Sequence, residues 1–362
     1  MKRYAAGFLA AVCLLLSGCT AWMDGRYVSV TPHMVQDKQQ EQAVDWIDDY
    51  SQLYAALTSM VRYGTANDLF FVRDYDENLL IRDIRQAEFE IKENNPIGAY
   101  AVEGIAYELG VNSGQTTLSV SIDYRHPSSE ILRIQEVWGI ENAKAVIEAV
   151  LSKYNTDLLL YVRNYREADF RQIVEDYALE HPEIVMETPE VSVGIYPETG
   201  DSRVVELKFS YRTSRMSLRN MQSRVEEVFE SAKLYISGDE SADEKYGHLY
   251  VFLMERDDYQ IDTSITPAYS LLRHGVGDSK AFASVFAAMC HQSELECMIV
   301  SGTRYGEPWF WNMVCDGDGA YYHVDLLRCA EEGAFAERTD EEMEGYVWDF
   351  SAYPKCGGAE LP

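Results

Sequence analysis

The sequence is short of positive charge. It holds 31 Lys and Arg against 60 Asp and Glu, a net charge of −29. Nucleic acid and anionic membrane surfaces repel such a chain, so no nucleic-acid partner is expected and the surplus acid reads as a solubility charge. Paired metal ligands are missing too. No two cysteines have CxxC spacing, so no metal site is expected, and no cofactor is expected either. Beyond Leu16 no run is long and apolar enough to cross a bilayer.

What is present is ordinary material for folded domains. Hydrophobic residues make up 47% of the 362 positions and aromatics 12%, enough for real cores, and the length suits two or three domains. The first residues stand apart. In MKRYAAGFLAAVCLLLSGC, Lys2 and Arg3 precede an apolar run from Ala5 to Leu16 and then LSGC. That is the build of a secretory signal, and its end resembles the bacterial lipobox. The resemblance implies cleavage after residue 18, lipidation of Cys19 and attachment to the outer side of the cytoplasmic membrane. Residues 19–42 are polar and weakly patterned, as a tether would be.

Residues 43–130 and 131–215 read as two copies of one α+β module. Each runs helix, strand, helix, hairpin. The first copy offers SQLYAALTSMVRYG, DLFFVRDY, ENLLIRDIRQAEFEIKENNP and then YAVEGIAYELG with TTLSVSIDYR. The second offers ENAKAVIEAVLSKY, LLLYVRNY, READFRQIVEDYALEHPE and then VSVGIYPETG with RVVELKFSYR. Helices show a period near 3.6 and strands a period of 2. FVRDY matches YVRNY, and Pro96 matches Pro182. After residue 215 a helix is expected through LRNMQSRVEEVFESAKLYI, and a second helix follows, with Ser241 or Asp243 as its N-cap.

Five cysteines remain beyond the signal and lipobox: Cys290, Cys297, Cys315, Cys329 and Cys356. Cys329 with Cys356 is a plausible disulfide pair. Five buried thiols are the other reading. Asp316 and Asp318, in CDGDGAYY, lack the rest of a calcium loop and read as a hairpin turn.

Residues 216–362 resemble the transglutaminase-like superfamily of papain-like cysteine enzymes. The segments that carry the resemblance are TPAYSLLRHGVGDSKAFASVFAAMCHQSELECMIVSG, PWFWNMV and AYYHVDLL, with TDEEMEGYVWDFSAYPKC similar to the family's closing segment. The implied fold is an α+β domain whose core helix starts at the nucleophile. The implied chemistry needs a thiolate at a helix N-terminus, a His that moves protons and an Asp that orients the His. The cysteine position falls on Ser279. A register placing Gly277 there misaligns Ala283, Phe286 and Met289. The histidine position falls on Trp309, and the aspartate is kept as Asp325.

These replacements remove the chemistry. A serine hydroxyl needs a base, and an indole donates a proton but accepts none. His274 lies on the turn before Ser279, His291 is over three helical turns away on the same helix, and His323 is two residues before Asp325 on a strand. None is expected to rescue the serine. Asp278 or Ser279 would serve as a helix N-cap, and the indole N–H of Trp309 would bond Asp325 in place of the lost His. Trp309, Phe310 and Trp311 would wall a former cleft able to hold a peptide or protein segment. The expectation is a lipid-anchored, catalytically inactive binding or scaffolding protein of the cell envelope. The alternative is an active peptidase or acyltransferase that uses Ser279 with a base not identified in the sequence. Mass spectrometry of the protein from bacterial membranes should find Cys19 as the first residue, carrying a diacylglyceryl thioether, and Cys19→Ala should abolish the modification.

Overall fold

Apolar stripes set the first sheet and its helices. In α1 (Tyr50–Tyr63) Leu53, Ala56, Leu57, Met60 and Val61 fall on one buried face, the spacing of an amphipathic helix. Asp49 caps its start through Gln52 N–H, and Gly64 ends it at φ 63°, a left-handed turn that glycine adopts without a Cβ penalty. Its partner α2 (Glu77–Glu93) buries Leu80, Ile84, Ala87 and Ile91. Both cover a sheet of β1 (Trp46–Ile47), β2 (Asn67–Val72), β3 (Val102–Asn112) and β4 (Gln115–Tyr124) in the order β1-β2-β4-β3. The β1–β2 pair is parallel and the rest antiparallel.

The computed structural model describes residues 46–255, 258–259 and 264–357. The signal, the tether and Cys19 lie outside these residues.

A second sheet is built the same way. Strands β5 (Gln135–Trp138), β6 (Asp157–Arg163), β7 (Glu190–Tyr196) and β8 (Ser202–Ser210) lie in the order β5-β6-β8-β7, again with a parallel first pair. Helices α5 (Gly139–Leu151) and α6 (Phe170–Glu180) pack on it. Four short elements had no counterpart in the sequence reading: β1, β5, α3 (Pro96–Ala101) and α4 (Ser128–Ile131). Each is too short to show a period. The helix α3 begins with Pro96 behind the Asn95 cap. Around it Tyr100, Ala101 and Ile131 pack on Leu159 and Val204 of the second sheet.

The C-terminal region starts with α7 (Arg215–Lys233), capped by Ser214, and α8 (Ala242–Met254). Ser241 and Glu244 form a capping box on α8, and Asp243 lies inside the first turn instead of at the cap. Then come β9 (Asp258–Tyr259), α9 (Pro267–His274), β10 (Val276–Gly277) and α10 (Ser279–Gln292). From Ala281 to Cys290 α10 is buried on every side. It packs on α7, α8, α9 and a second antiparallel layer. That layer has β11 (Cys297–Arg304), β12 (Glu307–Cys315), β13 (Tyr321–Val324) and β14 (Tyr346–Trp348), ordered β13-β12-β11-β14. Helix α11 (Leu326–Glu332) follows β13.

The three regions do not separate. Val44–Pro362 is one compact unit. Tyr154 and Met186 of the second sheet region belong to the same core as α10. Tyr154 occupies a left-handed position, φ 53°, where glycine is usual. Its buried hydroxyl donates to the Ile184 carbonyl at 2.6 Å and accepts from Met186 N–H at 3.3 Å. From α10, the Ser284 hydroxyl donates to the Leu179 carbonyl.

Of the two readings of the cysteines, the structure has the free thiols: Cys329 and Cys356 are not bonded, and all five described cysteines are free. Cys329 lies in the core around α10, whereas Cys356 belongs to a separate cluster with Trp311 and Trp348. The Asp316 turn is a β12–β13 hairpin turn, its carboxylate accepting from Asp318 and Ala320 N–H groups. Among the described residues no helix is long and apolar enough to cross a membrane.

Candidate functional site

The three positions that the sequence resemblance singles out, Ser279, Trp309 and Asp325, converge where α10 begins under β12 and α11 follows β13. Asp278, not Ser279, is the N-cap of α10. Its carboxylate accepts from Ala281 N–H at 2.9 Å. A carboxylate is the stronger partner for a helix N-terminus, so Ser279 is left as the first helical residue. It is 7% exposed, and its hydroxyl oxygen accepts from Phe310 N–H at 3.3 Å. That neighbour is a donor. It cannot take the proton that a nucleophilic hydroxyl must lose.

Asp325 is 1% exposed and saturated with donors. Its Oδ1 caps α11, accepting from Leu327 N–H at 3.0 Å and Arg328 N–H at 3.2 Å. Its Oδ2 accepts from Trp309 Nε1–H at 2.9 Å and from the Tyr346 hydroxyl at 2.6 Å. The expected indole–carboxylate bond is therefore present. Burial and the Asp325 charge push the Tyr346 phenol far above its usual range, which keeps it a donor. The Arg304 guanidinium, 13% exposed, lies 4.0 Å from Asp325 and pairs with Glu331 at 2.7 Å. It also sits 5.3 Å from the Trp309 ring centre and 5.7 Å from that of Tyr346, within cation–π range.

The three histidines are engaged elsewhere. His274 is exposed and packs edge-on against Tyr269. His291 contacts the Cys297 carbonyl at 2.6 Å at the far end of α10. His323 is fully buried, with Nδ1 accepting from Trp311 Nε1–H at 2.9 Å and Nε2 2.9 Å from Asp340 Oδ1. The expected cleft wall needs correction here. Trp311, 1% exposed, points into the cluster with His323, Tyr346 and Trp348 and faces no cleft. Gly302 on β11 makes room for it, since a Cβ there would lie 2.3 Å from the Val347 carbonyl and 2.9 Å from the Trp311 ring.

His323, Asp340 and Cys356 bring ligand atoms within 4.8 Å of one another. The hydrogen bonds argue against a metal there. An indole N–H only donates, so Nδ1 of His323 carries the lone pair and Nε2 carries the proton toward Asp340. A metal on Nε2 would force that proton onto Nδ1, against the Trp311 N–H. Burial and the neighbouring Asp340 also push the Cys356 thiol up to about 12, far from the thiolate a metal needs. The cluster ties the closing segment to β13. Sequence reasoning missed Arg304, Asp340 and Tyr346 as parts of the site. Tyr346 lies in a stretch that reads only as packing aromatics, and nothing local marks Arg304.

With this geometry in view, the sequence model of the transglutaminase-like superfamily matches residues 230–326, from within α7 to the first residue of α11. The chain therefore carries a transglutaminase-like domain. Similar solved structures include a TGase at 12% identity and TM-score 0.26, over 47% of this chain and 50% of that one. A candidate cysteine protease from Cytophaga hutchinsonii has 14% identity and TM-score 0.26, over 44% of this chain and 70% of that one. A candidate protease from Parabacteroides distasonis has 8% identity and TM-score 0.22, over 70% of this chain and 39% of that one. This chain thus spans half the length of the TGase. No curated protein matches the sequence.

Two predictions follow from the hydrogen bonds. Trp309→Phe removes one donor from a buried carboxylate and should cost about 1–3 kcal/mol, read as a lower urea midpoint with an unchanged slope. An unchanged midpoint would show that the indole bond carries no stability. The second concerns pH. Burial lowers His323 below the usual histidine value of 6.5, against the pull of Asp340. The unfolded chain then binds the proton first as pH falls, so stability is lost from about 6.5 downward to the lowered folded value. The loss should be smaller in His323→Gln, as measured by melting temperatures at stepped pH.

Proposed function

We propose that the protein is a non-catalytic transglutaminase-like protein that acts by binding or scaffolding at the bacterial cell envelope. One observation carries the loss of catalysis: the hydroxyl at the nucleophile position is hydrogen-bonded by an N–H donor, while Trp309 has joined the donors that occupy Asp325. Proton transfer from Ser279 has no acceptor in this arrangement. Asp325 is occupied in holding Trp309, Tyr346 and the start of α11. We read the two sheet regions, residues 43–130 and 131–215, as copies of one module that presents residues 216–362 away from the membrane. The anchor in this reading is the lipid on Cys19, with residues 19–42 as the tether.

The former cleft is a poor seat for a peptide. Ser279 and Asp325 are buried, so a ligand there would meet only the outer faces of Phe310, Trp309 and Arg304. The rival reading, a hydrolase or acyltransferase that uses Ser279, needs a base, and none of the three histidines discussed above reaches the hydroxyl.

The test is an assay of the full chain for amide hydrolysis and amine transfer on a mixed peptide pool, beside Ser279→Ala and a Ser279→Cys, Trp309→His double variant. Wild type and Ser279→Ala should both be inactive. Turnover by wild type that disappears in Ser279→Ala would overturn the proposal. Activity confined to the double variant would support it, because it would locate the deficiency in the two replaced side chains.

A further inference from the structure

Residues 211–224, YRTSRMSLRNMQSR, hold four arginines and no acid. This occurs in a chain with 60 acids against 31 Lys and Arg. Two of the four have protein partners of their own: Arg212 lies 3.5 Å from Glu190, and Arg224 donates to the Tyr269 hydroxyl at 3.1 Å. Arg215 and Arg219 are different. They are four residues apart on α7, hence on one face, and both are exposed. Arg215 donates to Asn155 Oδ1 at 3.0 Å. Among the described residues, no carboxylate forms an ion pair with either arginine.

Arg215 also opens onto a cavity of about 410 Å³. Its walls include Arg133, Asn155, Thr156, Thr213 and Asp157, with the Tyr154 and Tyr211 side chains beside them, so polar groups dominate the lining. Arg133 also lines the cavity and is ion-paired there with Asp157 through one of its Nη groups, whereas Arg215 has no carboxylate partner. The first turn of α7 contains no acid. An arginine as the first helical residue opposes the helix dipole. That placement is unfavourable unless an anion sits nearby.

We propose that this cavity binds the phosphate group of a small ligand. Arg215 would supply the charged fork, Arg133 the N–H groups that its Asp157 pairing does not use, Thr156 and Thr213 hydroxyl donors, and Arg219 a more positive local potential. The charge of the rest of the chain selects the size. With a net charge of −29, a polyanion or an anionic surface is repelled before it reaches the site, whereas a compact mono- or dianion is not. This inference is independent of the loss of catalysis.

Calorimetric titration of the full chain with inorganic phosphate and with glycerol 3-phosphate tests it. Both should bind wild type. Arg215→Gln should weaken them about tenfold, the loss of one charge-assisted contact. Arg133→Gln/Arg215→Gln should bind neither. Arg224→Gln, on the same helix but bonded to Tyr269, should bind as wild type does. Unliganded melting temperatures of all variants should match wild type, which separates lost binding from lost folding. Equal binding by wild type and the double variant would overturn the proposal, as would no binding by wild type at tens of millimolar phosphate. Arg215-dependent attachment to phosphatidylglycerol over phosphatidylcholine vesicles, without binding of free phosphate, would assign the arginines to a membrane surface and overturn it as well.

Discussion

A single buried carboxylate ties the C-terminal region together. Asp325 caps α11 with one oxygen and receives Trp309 from β12 and Tyr346 from β14 with the other. An ionised carboxylate with almost no exposure is tolerable only when its lone pairs are met by donors, and here four are. Removing any one leaves a buried charge less well satisfied. The order of β12, β14 and the first turn of α11 around this point is therefore coupled, and Arg304 closes the outer side over the Trp309 and Tyr346 rings.

The same carboxylate shows what an indole can do at a position where the sequence resemblance expects the histidine of a triad. The histidine of such a triad donates one proton to its aspartate and accepts another from the nucleophile. An indole reproduces the first property and not the second. Trp309 thus makes a hydrogen bond to Asp325 and offers no proton acceptor. Ser279, at the start of α10, is a buried hydroxyl under the Phe310 amide. The helix N-terminus itself is served by Asp278.

The second sheet region is more than a passive support for this domain. Its Tyr154 ring belongs to the core around α10, and its Leu179 carbonyl accepts from Ser284 in the middle of that helix. This continuity gives α10 burial on every side. It also places the Arg215 cavity at a seam between the second sheet region and α7, where a bound anion would act on both.

The sequence by itself determined the long elements. Periods of 3.6 and 2 locate α1, α2, α5, α6 and the three longer strands of each of the first two sheets, because side-chain direction alternates with local geometry alone. It also singled out Ser279 and Trp309 by their spacing, and an indole accepts no proton in any fold. The Trp309–Asp325 bond could be anticipated for the same reason. Short elements such as α3 and β5 could not, because they contain less than a period. Only the tertiary structure decided which residue capped α10, that Cys329 and Cys356 lie in different clusters, that Trp311 turns inward to fix the tautomer of His323, and that Tyr346 and Arg304 complete the shell of Asp325. Those outcomes depend on which segments, distant in the chain, meet in space, and packing sets that where local pattern is silent.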